Sequence, residues 1–521
     1  MNQQHYLLKG TFFLTGAGLL TRIAGFFYKI FLSRTIGAGE IGLFQLTMPV
    51  CALCMAVCIG GIQTALSRFT AEYRAKKQPQ NARFCLVLGL ILCLCSSCLC
   101  AGFLFSFAPW IARSFLLERL CAPILRIIAV SLPFAAVHAC ISGYFIGCKN
   151  VSVSAWSQVL EQLIRIGSVL LFFVLFSKSS RTMDASVMAL GQIAGEAASS
   201  LFCLYHFLSR SPDTDDSSRH PGRSAGAIMQ EYRRILSIAA PLGLNRTLLC
   251  VLQGIEAALL PQQLQYFGLG SYEALHVYGT LTGMTMPLLL FPTAVTGAVS
   301  TLLLPAVSEA HALHHSSQIR TTVNTGFQAG VLLGAFFLSG FLLFGQEAGT
   351  LLFCSELSGA FLRRLPLLCP FLYLNTAFTG ILHGLGKTAS VFIWNIIGFA
   401  IRICAVILFV PDMGMDAYFA GMILSQIFLC VCALILLYRH QYLTVDIMKT
   451  VLRAALPCFT GTGASLLFLS VCKKACITSP AGLGAAVCIF LTAFALPAWY
   501  VCVPANIRTA CALHRSRKHT S

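Results

Sequence analysis

"LLTRIAGFFYKIFLSRTIGAGEIGLFQ", Leu19 to Gln45, is the stretch on which the fold turns. An apolar run starts near Gly10 and reaches Leu32, long enough to cross a bilayer as a helix, yet Arg22 and Lys29 stand inside it. Seven residues is close to two helical turns, so the two cations share a face. A charge at the centre of a lipid-facing helix costs roughly 2.5–3.5 kcal/mol on insertion scales. That face is therefore predicted to point into a bundle interior or a wet cavity. Arg22 lies deep, whereas Lys29, in the last turns, can snorkel outward.

The rest of the chain repeats the pattern. Of 521 residues, 57% are hydrophobic and only 10% charged, with a mean hydropathy of +0.79. Soluble domains carry about 25% charged residues. The expected fold is an all-α polytopic membrane protein with fourteen spans, over 10–32, 41–64, 84–107, 122–147, 153–176, 185–208, 233–260, 277–302, 325–345, 360–384, 389–410, 416–438, 451–472 and 482–503. Each is a helix because lipid offers the backbone no partners. The runs are too continuously apolar for a barrel of alternating strands. An even number puts both termini on one side. With the termini in the cytoplasm, the inner segments hold 21 Lys and Arg and the outer ones 9, the positive-inside bias of a cell-membrane protein. The net charge of +18 then belongs to short loops that meet anionic headgroups; no motif points to nucleic acid. Most of the 24 cysteines lie inside apolar runs and read as small hydrophobes. Cys51, Cys54 and Cys58 have helical spacing but no His or acid nearby, so no metal is expected there.

Shifting the chain by 237 residues brings Gly60 onto Gly297, Glu72 onto Glu309, Pro133–Phe134 onto Pro370–Phe371, and Gly143 and Gly147 onto Gly380 and Gly384. "RIGSVLLFF" from Arg165 meets "RICAVILFV" from Arg402. Six spans per copy predict two six-helix bundles in parallel pseudo-two-fold repeat, plus two C-terminal helices. The expected domains are residues 1–208, a cytoplasmic linker over 209–232, a second bundle over 233–438, and 439–521 with the last two spans and a basic tail. The glycine pairs read as close helix contacts.

Mid-membrane charge marks the candidate site. Arg22 and Arg246 occupy the first helix of each copy, and Arg165 and Arg402 form a second repeat-related pair. Glu161, four residues before Arg165, offers it a salt bridge, while Arg402 has no acidic neighbour in sequence. Arg246 is free to pair with Glu256 or with an acid on another helix, and Asn245 and Gln253 add polarity beside it. The deep acids Glu161, Glu196 and Glu256 are outnumbered by buried cations, which favours an anionic substrate. Pro49, Pro287 and Pro292 are expected to bend their helices, as moving parts or as static kinks.

Enzyme motifs are scarce. "GILHGLGKT" has one residue too many for a phosphate loop, and "HALHH" lacks the glutamate of a metalloprotease. No cofactor is expected beyond an unidentified coupling cation. The opening motif "LTRIAGFFYKIFLSRTIGAGEIGLFQL" and the fourteen-span layout resemble the stage V sporulation protein B-like polysaccharide exporters. These belong to the multidrug/oligosaccharidyl-lipid/polysaccharide flippase superfamily. The resemblance implies a flippase that moves an undecaprenyl-diphosphate-linked glycan outward by alternating access, in spore cortex or envelope synthesis; a monomer is expected, its oligomeric state not being given by the sequence. It assigns the diphosphate to Arg22 and, more loosely, to Lys29 and Arg246. Two alternatives stand beside it: an ion-coupled multidrug antiporter of the same fold, which requires cavity acids, and a membrane glycan-processing enzyme or scaffold, which requires large outer loops.

Overall fold

The computed structural model describes residues 3–177, 184–209, 225–474 and 480–502. Residues 210–224 of the expected linker and the basic tail from 503 onward lie outside the described residues. The described chain is helical throughout. In order it forms α1 (Gln3–Thr35), α2 (Ala38–Ile59), α3 (Ile62–Ala75), α4 (Pro79–Trp110), α5 (Cys121–Gly147), α6 (Val151–Ser177) and α7 (Ala185–Ser209). There follow α8 (Ala225–Tyr266), α9 (Ser271–Gly279), α10 (Met286–Leu290), α11 (Thr293–Ala312), α12 (Ser316–Phe353) and α13 (Glu356–Arg364). The last are α14 (Leu368–Gly384), α15 (Thr388–Leu408), α16 (Val410–Met413), α17 (Met415–Arg439), α18 (Ile447–Lys474) and α19 (Pro480–Cys502). Short π-helical stretches follow α4 at Ile111–Phe115 and α9 at Thr280–Thr285.

The expectation of fourteen spans is corrected. Among the described residues, ten helical segments are long and apolar enough to cross a membrane, or eleven if one bent pair counts as a single span. Four expected spans are not among them. The first lies in α1, which carries Arg22 and Lys29 and whose side chains before residue 16 lie outside the described residues. The eighth, 277–302, is no single helix. The π-helical stretch Thr280–Thr285, then Pro287 in α10 and Pro292 capping α11, divide it. Proline has no N–H to continue the ladder, so the break falls where the sequence puts it. The tenth is bent by 69° between α13 and α14 and counts only as the pair. Of the fourteenth, the described apolar part, Leu483–Ala498, is shorter than the others.

The chain divides into two units, residues 1–287 with 402–418, and residues 288–401 with 419–521. In the first, α4 packs on α5, α6 on α7, α5 on α7, α1 on α6, and α2 on α8 and α9. Its core includes Leu66, Phe69, Leu86, Cys140, Ile141 and Tyr144. In the second, α14 packs on α11 and α12, and α18 on α12 and α19. Its core includes Val323, Phe327, Phe378, Ile381 and Leu437.

The 237-residue repeat is written into the backbone of both units. Left-handed turns recur in pairs at that offset: Lys77 (φ 57°) and His314 (φ 55°), Leu117 (58°) and Cys354 (53°), Lys149 (62°) and Gly386 (73°). Helix contacts recur too. A Cβ on Gly143 would lie 2.7 Å from the Gln63 carbonyl oxygen, and one on Gly380 would lie 2.6 Å from that of Ser300. One turn on, Gly147 meets Ser67 and Gly384 meets Leu304. The glycine pairs therefore act as the close-packing sites that their spacing predicts, α5 on α3 and α14 on α11.

Candidate functional site

In the first unit the buried charges gather in two places. α6 brings Glu161 and Arg165 onto one face, and their side chains form the i, i+4 ion pair that the spacing predicts. Gln162 accepts a second guanidinium hydrogen bond, at 3.2 Å. α5 adds His138, whose Nδ1 lies 3.7 Å from Glu161 Oε2 and 3.8 Å from Glu196 Oε2 of α7; its Nε2 meets Ser157 Oγ at 2.9 Å. Gln192 donates to Glu196 at 3.2 Å. Gly195 lets α7 approach this close, since a Cβ there would lie 2.8 Å from the Glu161 carbonyl. His138, Glu161 and Glu196 place one ligand atom each within 4.8 Å of one another, the one such set among the described residues that could hold a cation.

The second cluster joins α8, α15 and α17. Glu256, 6% exposed, pairs with Arg402 Nη2 at 2.8 Å and accepts a 2.8 Å hydrogen bond from Tyr418 Oη. Arg402, with no acidic neighbour in sequence, finds its partner 146 positions away, through packing. Glu256 is thereby taken from Arg246. Among the described residues no carboxylate forms an ion pair with Arg246, which is exposed, as are its neighbours Asn245 and Gln253. Arg22 is also exposed and has interactions of its own, and Lys29 is half-buried. α1 sits against α6, where Gly25 faces the Gln162 side chain.

A third polar group ties α3 to α8. Arg234 forms two 2.7 Å hydrogen bonds to Glu72 and one of 2.8 Å to Tyr73 Oη, while its guanidinium lies 4.6 Å from the Phe69 ring. Tyr73 in turn donates to Glu231 at 2.8 Å.

The structure thus unites Arg165 with Glu161, and Arg402 with Glu256, and leaves Arg22 and Arg246 exposed on α1 and α8. Sequence reasoning missed His138, Tyr418 and the Arg234 network. His138 carried one signal: the residue 237 positions on is Asn375, so both copies keep a polar side chain at that place.

Comparison with known proteins settles the family. The polysaccharide biosynthesis protein family matches residues 7–311, more than half of the chain. This chain belongs to that family. It is 27% identical to stage V sporulation protein B of Bacillus subtilis (strain 168) over 399 residues, 76% of each protein. It is 28% identical to lipid II flippase MurJ of the same organism over 169 residues, 31% of each. Among solved structures, lipid II flippase MurJ in an inward closed conformation superposes with a TM-score of 0.69, at 13% identity, over 94% of this chain and 98% of that one. An inward-facing multidrug resistance MATE family transporter of the MOP superfamily gives 0.61 at 14% identity, over 83% and 98%. The fold is that of this superfamily. The chain is thus a member of the polysaccharide biosynthesis protein family with many membrane-crossing helices.

Proposed function

We propose that the protein is a flippase that moves an undecaprenyl-diphosphate-linked oligosaccharide or peptidoglycan precursor outward across the cell membrane by alternating access, with both termini in the cytoplasm. The observation that carries this reading is the fate of the acids. Glu161 and Glu256 are spent on Arg165 and Arg402, while Arg246 keeps an exposed guanidinium in an apolar helix. A diphosphate crossing a low-dielectric layer needs such a partner, because charge-assisted hydrogen bonds offset its desolvation. Arg22 contributes a second exposed guanidinium, and Lys29 a cation one face-repeat further along α1. The relatives named for spore formation and for lipid II support the cargo class. Pro49 within α2, and Pro287 and Pro292 around α10, are the places in this reading about which helices would move.

The test is complementation in cells depleted of their own flippase, reading outward exposure of labelled lipid-linked precursor. Arg246→Ala and Arg22→Ala are expected to lose exposure while reaching the membrane in wild-type amounts. Wild-type exposure by both variants would sink the reading. A second reading, an ion-coupled multidrug antiporter, is favoured by the His138–Glu161–Glu196 set, a cluster with two deep acids of the kind such a carrier requires. It predicts that Glu196→Gln abolishes efflux of a cationic dye from loaded vesicles, whereas the flippase reading predicts no such efflux in the wild type.

A further inference from the structure

The two repeat copies differ in charge at equivalent positions. His138 of α5 corresponds, 237 residues on, to Asn375 of α14, and Glu161 of α6 to Gly398 of α15. Helices α7 and α17 are both 25 residues long, and Glu196 and Gln426 are each the twelfth residue. So the imidazole and two carboxylates of the first unit become two amides and a glycine in the second. The pairing geometry survives: Asn375 Nδ2 donates to Gln426 Oε1 at 2.7 Å and to the Gln426 carbonyl at 3.0 Å.

The amides of the second unit face open space. A cavity of about 330 Å³ lies in the second unit, lined by Asn375, Gln426, Asn395, Trp394, Thr376 and Thr379 among apolar neighbours. That volume is within the range of small-molecule sites. No lining residue is charged. Asn375 and Gln426 satisfy each other with one donor and one acceptor, and Asn395 Nδ2 bonds the Val391 carbonyl at 2.8 Å. Among the described residues nothing engages Asn375 Oδ1, Asn395 Oδ1, Gln426 Nε2 or the Trp394 indole N–H. Two acceptors and two donors therefore remain for a ligand. Thr376 and Thr379 donate to their own helix and keep hydroxyl oxygens as acceptors.

We propose that this cavity binds the uncharged, polyhydroxylated sugar of the cargo. The inference deepens the flippase reading and rests on it. A charged group would find no counter-ion here. A purely apolar one would leave the amides unpaired, at a cost of about 1–3 kcal/mol for each buried group. A pyranose answers both demands, since its hydroxyls and acetamido group match the amides while its C–H face lies on the indole.

The experiment is saturation-transfer NMR on the full chain in detergent micelles, with N,N′-diacetylchitobiose as the neutral probe and inorganic pyrophosphate as the charged one. The wild type should transfer saturation to the disaccharide, and disaccharide titration should change the Trp394 fluorescence. Asn375→Ala and Trp394→Phe should weaken disaccharide binding at least tenfold, while pyrophosphate broadening in the phosphorus spectrum stays as in the wild type. Gln426→Glu, which keeps the side-chain volume, should do the same in a protein with an unchanged melting temperature. Absence of disaccharide binding in the wild type, or its persistence in all three variants, overturns the proposal. Loss of disaccharide binding in Arg246→Ala alone also overturns it. If the disaccharide binds this cavity but pyrophosphate does not bind the protein, the diphosphate reading fails and the sugar cavity stands.

Discussion

At the scale of single residues, Glu256 decides which arginines are available. Its two oxygens are held by Arg402 and Tyr418 in a site with little access to water. Removing one partner of such a pair leaves an uncompensated buried charge, which costs about 3–5 kcal/mol, whereas replacing both with apolar groups of similar volume is often neutral. Arg402→Met is therefore expected to lower the melting temperature of the detergent-purified protein markedly, and the double variant Arg402→Met/Glu256→Met to recover most of that loss. Equal melting temperatures for wild type and single variant would show that the pair is not structural. Arg246→Ala should behave in the opposite way, with its melting temperature unchanged and its transport gone. The sequence made Glu161 and Arg165 readable as partners because four residues bring them onto one helical face. It hid Arg402 and Glu256 because no spacing rule relates residues on different helices.

At the scale of elements, the glycines and prolines carry the argument. The two copies use the same device: Gly143 and Gly147 set α5 against α3, and Gly380 and Gly384 set α14 against α11. Gly143→Leu and Gly380→Leu should each cost about 1–3 kcal/mol through overpacking. Thermal denaturation of the two purified variants should show similar losses; a harmless change in one copy would mean the repeat is not kept there. A different glycine contact joins equivalent positions of the two copies within the first unit. A Cβ on Gly42 of α2 would collide with the Leu275 carbonyl of α9, and one on Gly279 with the Ala38 carbonyl. These residues are again 237 apart, so the contact is reciprocal. Gly42→Val should force α2 and α9 apart, and a cysteine introduced at Ala38 should then label faster with a water-soluble maleimide. Unchanged labelling would contradict that close approach. Around α10 the sequence supplied Pro287 and Pro292 but not the π-helical stretch at Thr280–Thr285 that precedes them. Whether a backbone freed by proline closes as a turn, a π stretch or a bend depends on the neighbours that satisfy it.

At the scale of the whole molecule, the chain passes from one unit to the other at Pro287, next to the break in the expected eighth span. If the bends serve movement, replacing Pro287 and Pro292 together by Ala should slow precursor exposure while preserving or raising the melting temperature, since two helix breakers are removed. Unchanged exposure would mark them as static kinks. Composition and hydropathy alone were enough to assign an all-helical membrane protein, because lipid forces the backbone to bond within each segment. The repeat was legible because corresponding glycines, prolines and arginines recur at a fixed offset. The number of spans was not, since apolar length does not say whether a run stays straight, bends by 69° between α13 and α14, or is divided as 277–302 is. Charge placement was legible only within a helix. The meeting of His138 with Glu161 and Glu196, the capture of Glu256 by Arg402, and the hollow beside Asn375 depend on which helix faces pack together, and that follows from side-chain shapes acting at a distance in sequence.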